Sequence, residues 1–267
     1  MCIRDRFLSM ESILFSLENN IAKITLNRPD KYNSFNREMA LTFQHYIKEC
    51  KTNSDVRALY ITGNGKAFCA GQDLQEAIDT EGPDLTTIVS EHYNPIIEAI
   101  REIEKPVIAA VNGVAAGAGA NIALACDIVM ATESAYFLQA FSKIGLIPDS
   151  GGTFFLPRII GFQRASALMM LGEKVPAKEA ERIGMIYKSF ADDVFKAETM
   201  KITQKLAKMP TRGLGLTKRA LNYSVHNDLT TQLGIEEQLQ TSASNTLDYK
   251  EGVQAFLEKR KPEFKGE

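Results

Sequence analysis

Two short runs, "PVIAAVNG" (106–113) and "CDIVMAT" (126–132), are almost wholly apolar, and only "GVAAGAGANIALA" (113–125) lies between them. Runs this short, with no polar alternation, suit strands buried on both faces, the signature of a parallel sheet. Parallel neighbours need a crossover, commonly helical, and the glycine-alanine stretch reads as one that opens a helix. This feature fixes the class: an α/β core.

The rest of the chain agrees. "SILFSLENNIAKITLNRP" reads as two strands about the turn Asn19-Asn20, with Ala22, Ile24 and Leu26 alternating against Lys23 and Thr25. Met39, Phe43, Tyr46 and Cys50 recur at helical spacing, with Lys48, Glu49 and Lys51 toward water. "VRALYITG" is a third strand, and the segment from Pro83 to Lys105 is helical with a kink expected at Pro95. From Gly161 onward the chain reads as almost entirely helical: "PAKEAERIG", then 192–209, then 214–223 and on to the end. The expected division is a non-native or disordered extension over 1–9, a core over 10–200 and a C-terminal helical region over 201–267. Arg4, Asp5 and Arg6 interrupt any apolar core that a signal peptide would need.

Composition removes several function classes. A net charge of −2 gives no electrostatic case for nucleic acid or an anionic membrane. No apolar run approaches the length that spans a bilayer. Cys2, Cys50, Cys69 and Cys126 show neither CxxC nor zinc spacing, so free thiols in a reducing cytoplasm are expected.

Three motifs carry chemistry. "PDSGG" (148–152) contains the run that surrounds a serine-protease nucleophile, but such a serine needs a histidine held by a carboxylate. His45 and His226 fall on helices where solvated or core positions explain them, and the antiparallel barrel of trypsin-like enzymes does not fit a chain half helical. "GAGANI" fails as a dinucleotide fingerprint, with Ile122 where the third glycine belongs and Asp127 too early. Its glycines allow either tight helix-strand packing or backbone N–H groups offered to an oxyanion at a helix start. "GKAFCAGQDL" supplies a second small-residue turn directly after a strand, and two such N–H donors are what a thioester enolate needs. Asp149, amid Ile144, Leu146, Ile147 and Pro148, is partly desolvated and thereby a better base. Residue chemistry alone favours a plainer role for it, the cap of a helix starting near Ser150.

"GKAFCAGQDL", "VNGVAAGAGANIALACDIVMAT", "FSKIGLIPDSGGTFFLPR", "AERIGMI" and "FLEKRKPEF", in this order from about Ile13 to Phe264, resemble the crotonase (enoyl-CoA hydratase/isomerase) superfamily. The resemblance implies a spiral of ββα units, a C-terminal helical region used in trimerisation, and trimers or hexamers built as dimers of trimers. It implies an acyl-CoA substrate, with coenzyme A as part of that substrate and no metal, nicotinamide or flavin. The thioester oxygen would be held by the backbone N–H groups of Gln72 and Ala118. The adenine would meet the backbone around Ala70, and Phe256 and Lys259 would contact the nucleotide across a subunit boundary. Helix packing for Phe256 and a solvated charge for Lys259 are the plainer readings.

The departures narrow the reaction. Where the family's hydratases carry two glutamates, this sequence has Asn121 and Phe141, both expected to line the substrate pocket. Hydration suits two carboxylates, and an asparagine can bind water but cannot act as its base. Asp149 remains, at a position where isomerases and dehalogenases of the superfamily carry their acid. One carboxylate is enough to move a proton between two carbons. "EHYNP", "AAGAGA" and "RGLGLTKRALN" are most similar to the branch that isomerises the ring 1,2-epoxide of phenylacetyl-CoA to the oxepin. A Δ3,Δ2-enoyl-CoA isomerase, a hydratase and a non-catalytic acyl-CoA-binding protein are the alternatives. Ser150 is expected to serve only in starting a helix.

Overall fold

The computed structural model describes residues 11–267; the expected extension over residues 1–9 lies outside them. The chain opens with a hairpin of β1 (Ile13–Glu18) and β2 (Ile21–Leu26). Asn19 and Asn20 both take positive φ, 52° and 62°, as a two-residue turn that follows the strand twist requires. Helix α1 (Arg37–Thr52) follows, capped by the Asn36 side chain and buried through Met39, Phe43, Ile47 and Cys50. Tyr46 stacks on Phe15 at 4.5 Å between ring centroids.

Strands then come in pairs. They are β3 (Ala58–Gly63) with β4 (Ala67–Cys69), β5 (Val107–Val111) with β6 (Val114–Ala116), and β7 (Ile128–Thr132) with β8 (Tyr136–Leu138). With β9 (Lys174–Pro176) and β10 (Lys188–Phe190), the first strand of each pair joins a six-stranded sheet ordered β1-β2-β3-β5-β7-β10, and the second joins a four-stranded sheet ordered β4-β6-β8-β9. Each turn of the chain thus adds one strand to each sheet before a helical crossover, which is the expected ββα spiral. The first crossover holds α2 (Leu74–Ala77), α3 (Leu85–Thr87) and α4 (Asn94–Glu102), and the second holds α5 (Ala118–Ala125).

The large sheet is buried on both faces. Leu59, Ile61, Val107, Ala109 and Val111 enter the main core, while Ala58, Tyr60, Ile108 and Ala110 enter a second cluster on the opposite face. Each fully buried aliphatic side chain contributes about 1.5–3 kcal/mol, so both faces must be covered. The second face is covered by α9 (Phe195–Ala207), which follows α6 (Gly152–Ile160), α7 (Phe162–Leu171) and α8 (Ala177–Arg182). Phe195 and Ala207 of α9 are buried there, so the boundary placed at residue 200 falls inside a core helix.

Two strands went unread in the segment taken as helical: β9 (Lys174–Pro176) and β10 (Lys188–Phe190). Each has three residues and one buried side chain, Val175 or Phe190, too little for alternation to show. The C-terminal helices are α10 (Thr211–Ser224), α11 (Leu229–Ser244) and α12 (Leu247–Leu257). Lys218 ties α10 to the core, giving Nζ to Asp127 Oδ2 at 2.8 Å and to the Ile100 carbonyl at 2.6 Å. No residue of α11 is buried, and Leu229 and Leu233 stay 75% and 55% exposed. Among the described residues no helix is long and apolar enough to cross a membrane.

Candidate active site

The two small-residue turns lie side by side because β4 and β6 are parallel neighbours. After β4 the chain turns through Gly71 at φ +96°, and a Cβ there would lie 3.1 Å from the Ala116 carbonyl and 3.4 Å from the Ala118 nitrogen. On the other turn, a Cβ at Gly119 would meet the Cys69 carbonyl at 2.4 Å and Cys69 Cβ at 2.6 Å. Glycine at both places lets the start of α5 touch the end of β4.

The N–H groups of Gln72 and Ala118 have no hydrogen-bond acceptor among the described residues. Their neighbours do. Phe35 clasps the first turn, giving its N–H to the Gly71 carbonyl at 2.7 Å and taking that of Asp73 at 2.8 Å. Gly117 N–H donates to the Leu138 carbonyl at 2.8 Å. Ala118 is the first residue of α5, so its N–H is one of the orphans that a helix start leaves, with the helix dipole behind it. Two unspent donors on abutting turns are the kind of arrangement that can receive the charge of an oxyanion.

Asp149 lies in the loop between the short turn Phe141–Ile144 and α6. Burial raises its carboxyl above the ordinary value, and the Ser150 hydroxyl, giving its proton to Oδ1 at 2.8 Å, pulls part of the way back. Of the apolar residues around it, Ile144, Leu146 and Ile147 are 55%, 38% and 80% exposed and Pro148 is half-buried. On the interior side Asn121 holds the Asp149 carbonyl. Nor do Asp149 and Ser150 cap a helix. The residue before α6 is Gly151, and no side chain accepts from the first turn. Ser150 is instead buried in the left-handed region at φ +51°, its hydroxyl turned to the carboxylate and to no histidine. The protease reading ends there.

The other expected residues divide. Phe141 is buried beside the second turn, its ring 3.8 Å from where a Gly117 Cβ would stand, so this wall is apolar. Asn121, expected to face substrate, is fully buried with both ends of its amide spent, Nδ2 on the Asp149 carbonyl at 2.8 Å and Oδ1 on Gln139 at 2.7 Å. Ala70 gives its N–H to the Tyr32 carbonyl at 3.0 Å. Phe256 is 83% exposed at the end of α12. Lys259 follows it, with its N–H on the Phe256 carbonyl at 3.2 Å.

Sequence reasoning missed Tyr93. Its phenol is buried and donates to Gln72 Oε1 at 2.8 Å; Gln72 Nε2 donates to Glu76 at 2.9 Å. Burial holds that phenol well above its ordinary value, and the carboxylates of Asp149, Glu76 and Asp73 push the same way. Tyr93 ends a π-helical turn, Ile88–Tyr93, in the place where a simple kink was expected. Pro95 has no N–H to return to the Glu91 carbonyl, and Gln44 Nε2 supplies one at 2.7 Å. Buried Cys50, Cys69 and Cys126 are free thiols, pushed by burial to about 11, about 12 and about 12. Among the described residues no cluster of three or more His, Cys, Asp and Glu side chains could hold a metal ion. Two cavities of about 710 Å³ flank α10, and neither is lined by Gln72, Ala118 or Asp149.

Comparison with known proteins gives consistent results. Residues 16–267 match the family described as enoyl-CoA hydratase/isomerase. An Escherichia coli protein named "1,2-epoxyphenylacetyl-CoA isomerase" is 46% identical over 96% of this chain and 99% of its own. A Rhodobacter capsulatus protein named "Probable enoyl-CoA hydratase" is 42% identical over 97% of this chain and 100% of its own. The crystal structure of an enoyl-CoA hydratase from Bacillus anthracis superposes with a TM-score of 0.89 at 33% identity, covering 96% of this chain and 100% of that one.

Proposed function

The chain belongs to the enoyl-CoA hydratase/isomerase family, and we propose that it is an acyl-CoA isomerase working through a thioester enolate. Asp149 takes the proton from the carbon beside the thioester. The electron pair moves onto the thioester oxygen, where the Gln72 and Ala118 N–H groups receive the charge. The bond between the two epoxide carbons breaks as the ring expands, the enolate collapses, and protonated Asp149 returns the proton farther along the conjugated system. Nothing is gained or lost overall. The substrate is the 1,2-epoxide of phenylacetyl-CoA and the product its ring-expanded oxepin, a reading supported by the 46% identity to the Escherichia coli isomerase.

The observation that carries the proposal is the pairing of two unspent backbone donors with one half-buried carboxylate. A hydratase reading has the Rhodobacter capsulatus relative in its favour. Against it stand Asn121 and Phe141, neither of which can activate or protonate anything at neutral pH. An aliphatic Δ3,Δ2-enoyl-CoA isomerase would use the same single acid. The protein acts in the cytoplasm as a trimer or dimer of trimers, with Phe256 and Lys259 reaching the CoA nucleotide of a neighbouring subunit.

The test offers the purified protein three thioesters: 1,2-epoxyphenylacetyl-CoA, a 3-enoyl-CoA and crotonyl-CoA. Turnover of the epoxide is expected to lead, with crotonyl-CoA hydrated at background rate. Hydration at about ten turnovers per second or more, an ordinary scale for an enzyme on its own substrate, would overturn the isomerase reading.

A further inference from the structure

Asp149 is held by its main chain as well as its side chain. Its carbonyl accepts from Asn121 Nδ2 at 2.8 Å and from the Gly152 N–H at 2.8 Å, which occupies both lone pairs. Behind Asn121 stands Gln139, whose Nε2 donates to Asn121 Oδ1 at 2.7 Å. The direction of this chain is forced. A carbonyl can be met only by an N–H, so Asn121 must turn its oxygen inward and Gln139 must meet that oxygen with its nitrogen.

The arrangement leaves a cost in place. Asn121 and Gln139 are 0% and 2% exposed, and the forced direction strands Gln139 Oε1 without a donor. A buried pair with one orphan acceptor is less stable than two apolar side chains of the same shape. Stability does not explain why they are polar.

Position does. Asn121 sits on α5, and its own N–H returns to the Gly117 carbonyl at 3.2 Å. Ala118, one turn earlier, begins the same helix. One rigid element therefore carries an oxyanion donor at its tip and the grip on Asp149 at its next turn. We propose that Asn121, backed by Gln139, is a positioning residue that sets the distance between the enolate oxygen site and the Asp149 carboxylate. Position 121 is thereby closed to a second acid. An ionised carboxylate has no N–H to give the Asp149 carbonyl, and a Cβ at Gly152 would stand 2.4 Å from Asn121 Nδ2, so a longer side chain has no room. This inference rests on the reading of Asp149 as the proton carrier.

The test compares Asn121→Asp, Asn121→Leu, Gln139→Leu and the double Asn121→Leu/Gln139→Leu variant with wild type and Asp149→Asn. Thermal midpoint, kcat and KM are read on the acyl-CoA that the wild type turns over. Asn121→Asp keeps the size and still accepts from Gln139; while ionised it has no donor for the Asp149 carbonyl, and the thermal midpoint shows what the buried charge costs, so its rate is read on the folded fraction. It should lose kcat by about tenfold or more, because a small misplacement of a reacting group is costly, with KM within about twofold. The double variant should melt at or above the Gln139→Leu protein and recover no kcat, a split that a merely structural pair would not give. Wild-type kcat in folded Asn121→Asp, or in the double variant, overturns the inference. Near wild-type kcat in Asp149→Asn would instead overturn the reading of the base itself, so the two failures are distinct.

Discussion

The Ser150 hydroxyl donates to Asp149 Oδ1 at 2.8 Å from a backbone held at φ +51°. Two adjacent residues thereby set the charge state of the proposed base, burial raising its pKa and the hydroxyl lowering it. Removing the hydroxyl removes a hydrogen bond to the ionised form. Ser150→Ala should move the acid limb of the kcat/KM profile to higher pH by about one to two units, since a bond to a charged group is worth about 1.5–3 kcal/mol and a pKa unit about 1.4 kcal/mol. An unchanged limb would show that the bond does not reach the free enzyme's base.

Asp149 should also carry a stability cost. A carboxyl whose folded pKa is raised is protonated in both states below its ordinary value of 3.8 and contributes nothing there. As the pH rises from 3.8 to the folded value, the unfolded chain ionises first and stability falls. Above the folded value the loss stays constant. Asp149→Asn should therefore melt higher than wild type at pH 7, with the gap closing as the pH is lowered toward 3.8. Melting curves at several pH values check this, and a variant less stable at pH 7 contradicts it.

Gly119→Ala places a methyl 2.4 Å from the Cys69 carbonyl, a backbone atom that cannot step aside. The start of α5 must retreat from β4, separating the two donors. We expect a loss of about 1–3 kcal/mol from overpacking, and a fall in kcat beyond what the remaining folded fraction explains. Denaturant titration and steady-state kinetics on one preparation separate the two effects.

The parallel core was legible because "PVIAAVNG" and "CDIVMAT" became strands buried on both faces. Met39, Phe43 and Cys50 likewise gave α1 its buried stripe. The two small-residue turns that abut at Gly71 and Gly119 were legible as glycine spacing after strands. What stayed hidden was whatever depends on a partner distant in sequence. Val175 and Phe190 look helical until β8 and β7 accept them as edge strands. Asn121 looks like a pocket residue until Gln139 and the Asp149 carbonyl take both ends of its amide. Ser150 beside Asp149 resembles helix-start chemistry because those residue types cap helices, and only its positive φ turns the hydroxyl to the carboxylate.

Assembly offers a further check. Leu229 and Leu233 stay exposed on α11, and Ile235 and Leu239 are only partly buried, apolar surface that a partner subunit would cover. Light scattering should find a trimer or a dimer of trimers at micromolar concentration. Replacing Leu229 and Leu233 together by Glu should shift the mass toward monomer. A stable wild-type monomer would contradict the assembly.

The central claim is that Asp149 alone carries the proton. The most direct measurement is exchange of the thioester α-proton with D2O, followed by mass spectrometry, for wild type and for folded Asp149→Asn. The wild type should exchange readily, and the variant should lose about 10²–10⁴-fold, the scale of a positioned general base. Exchange by Asp149→Asn at close to the wild-type rate would contradict that claim.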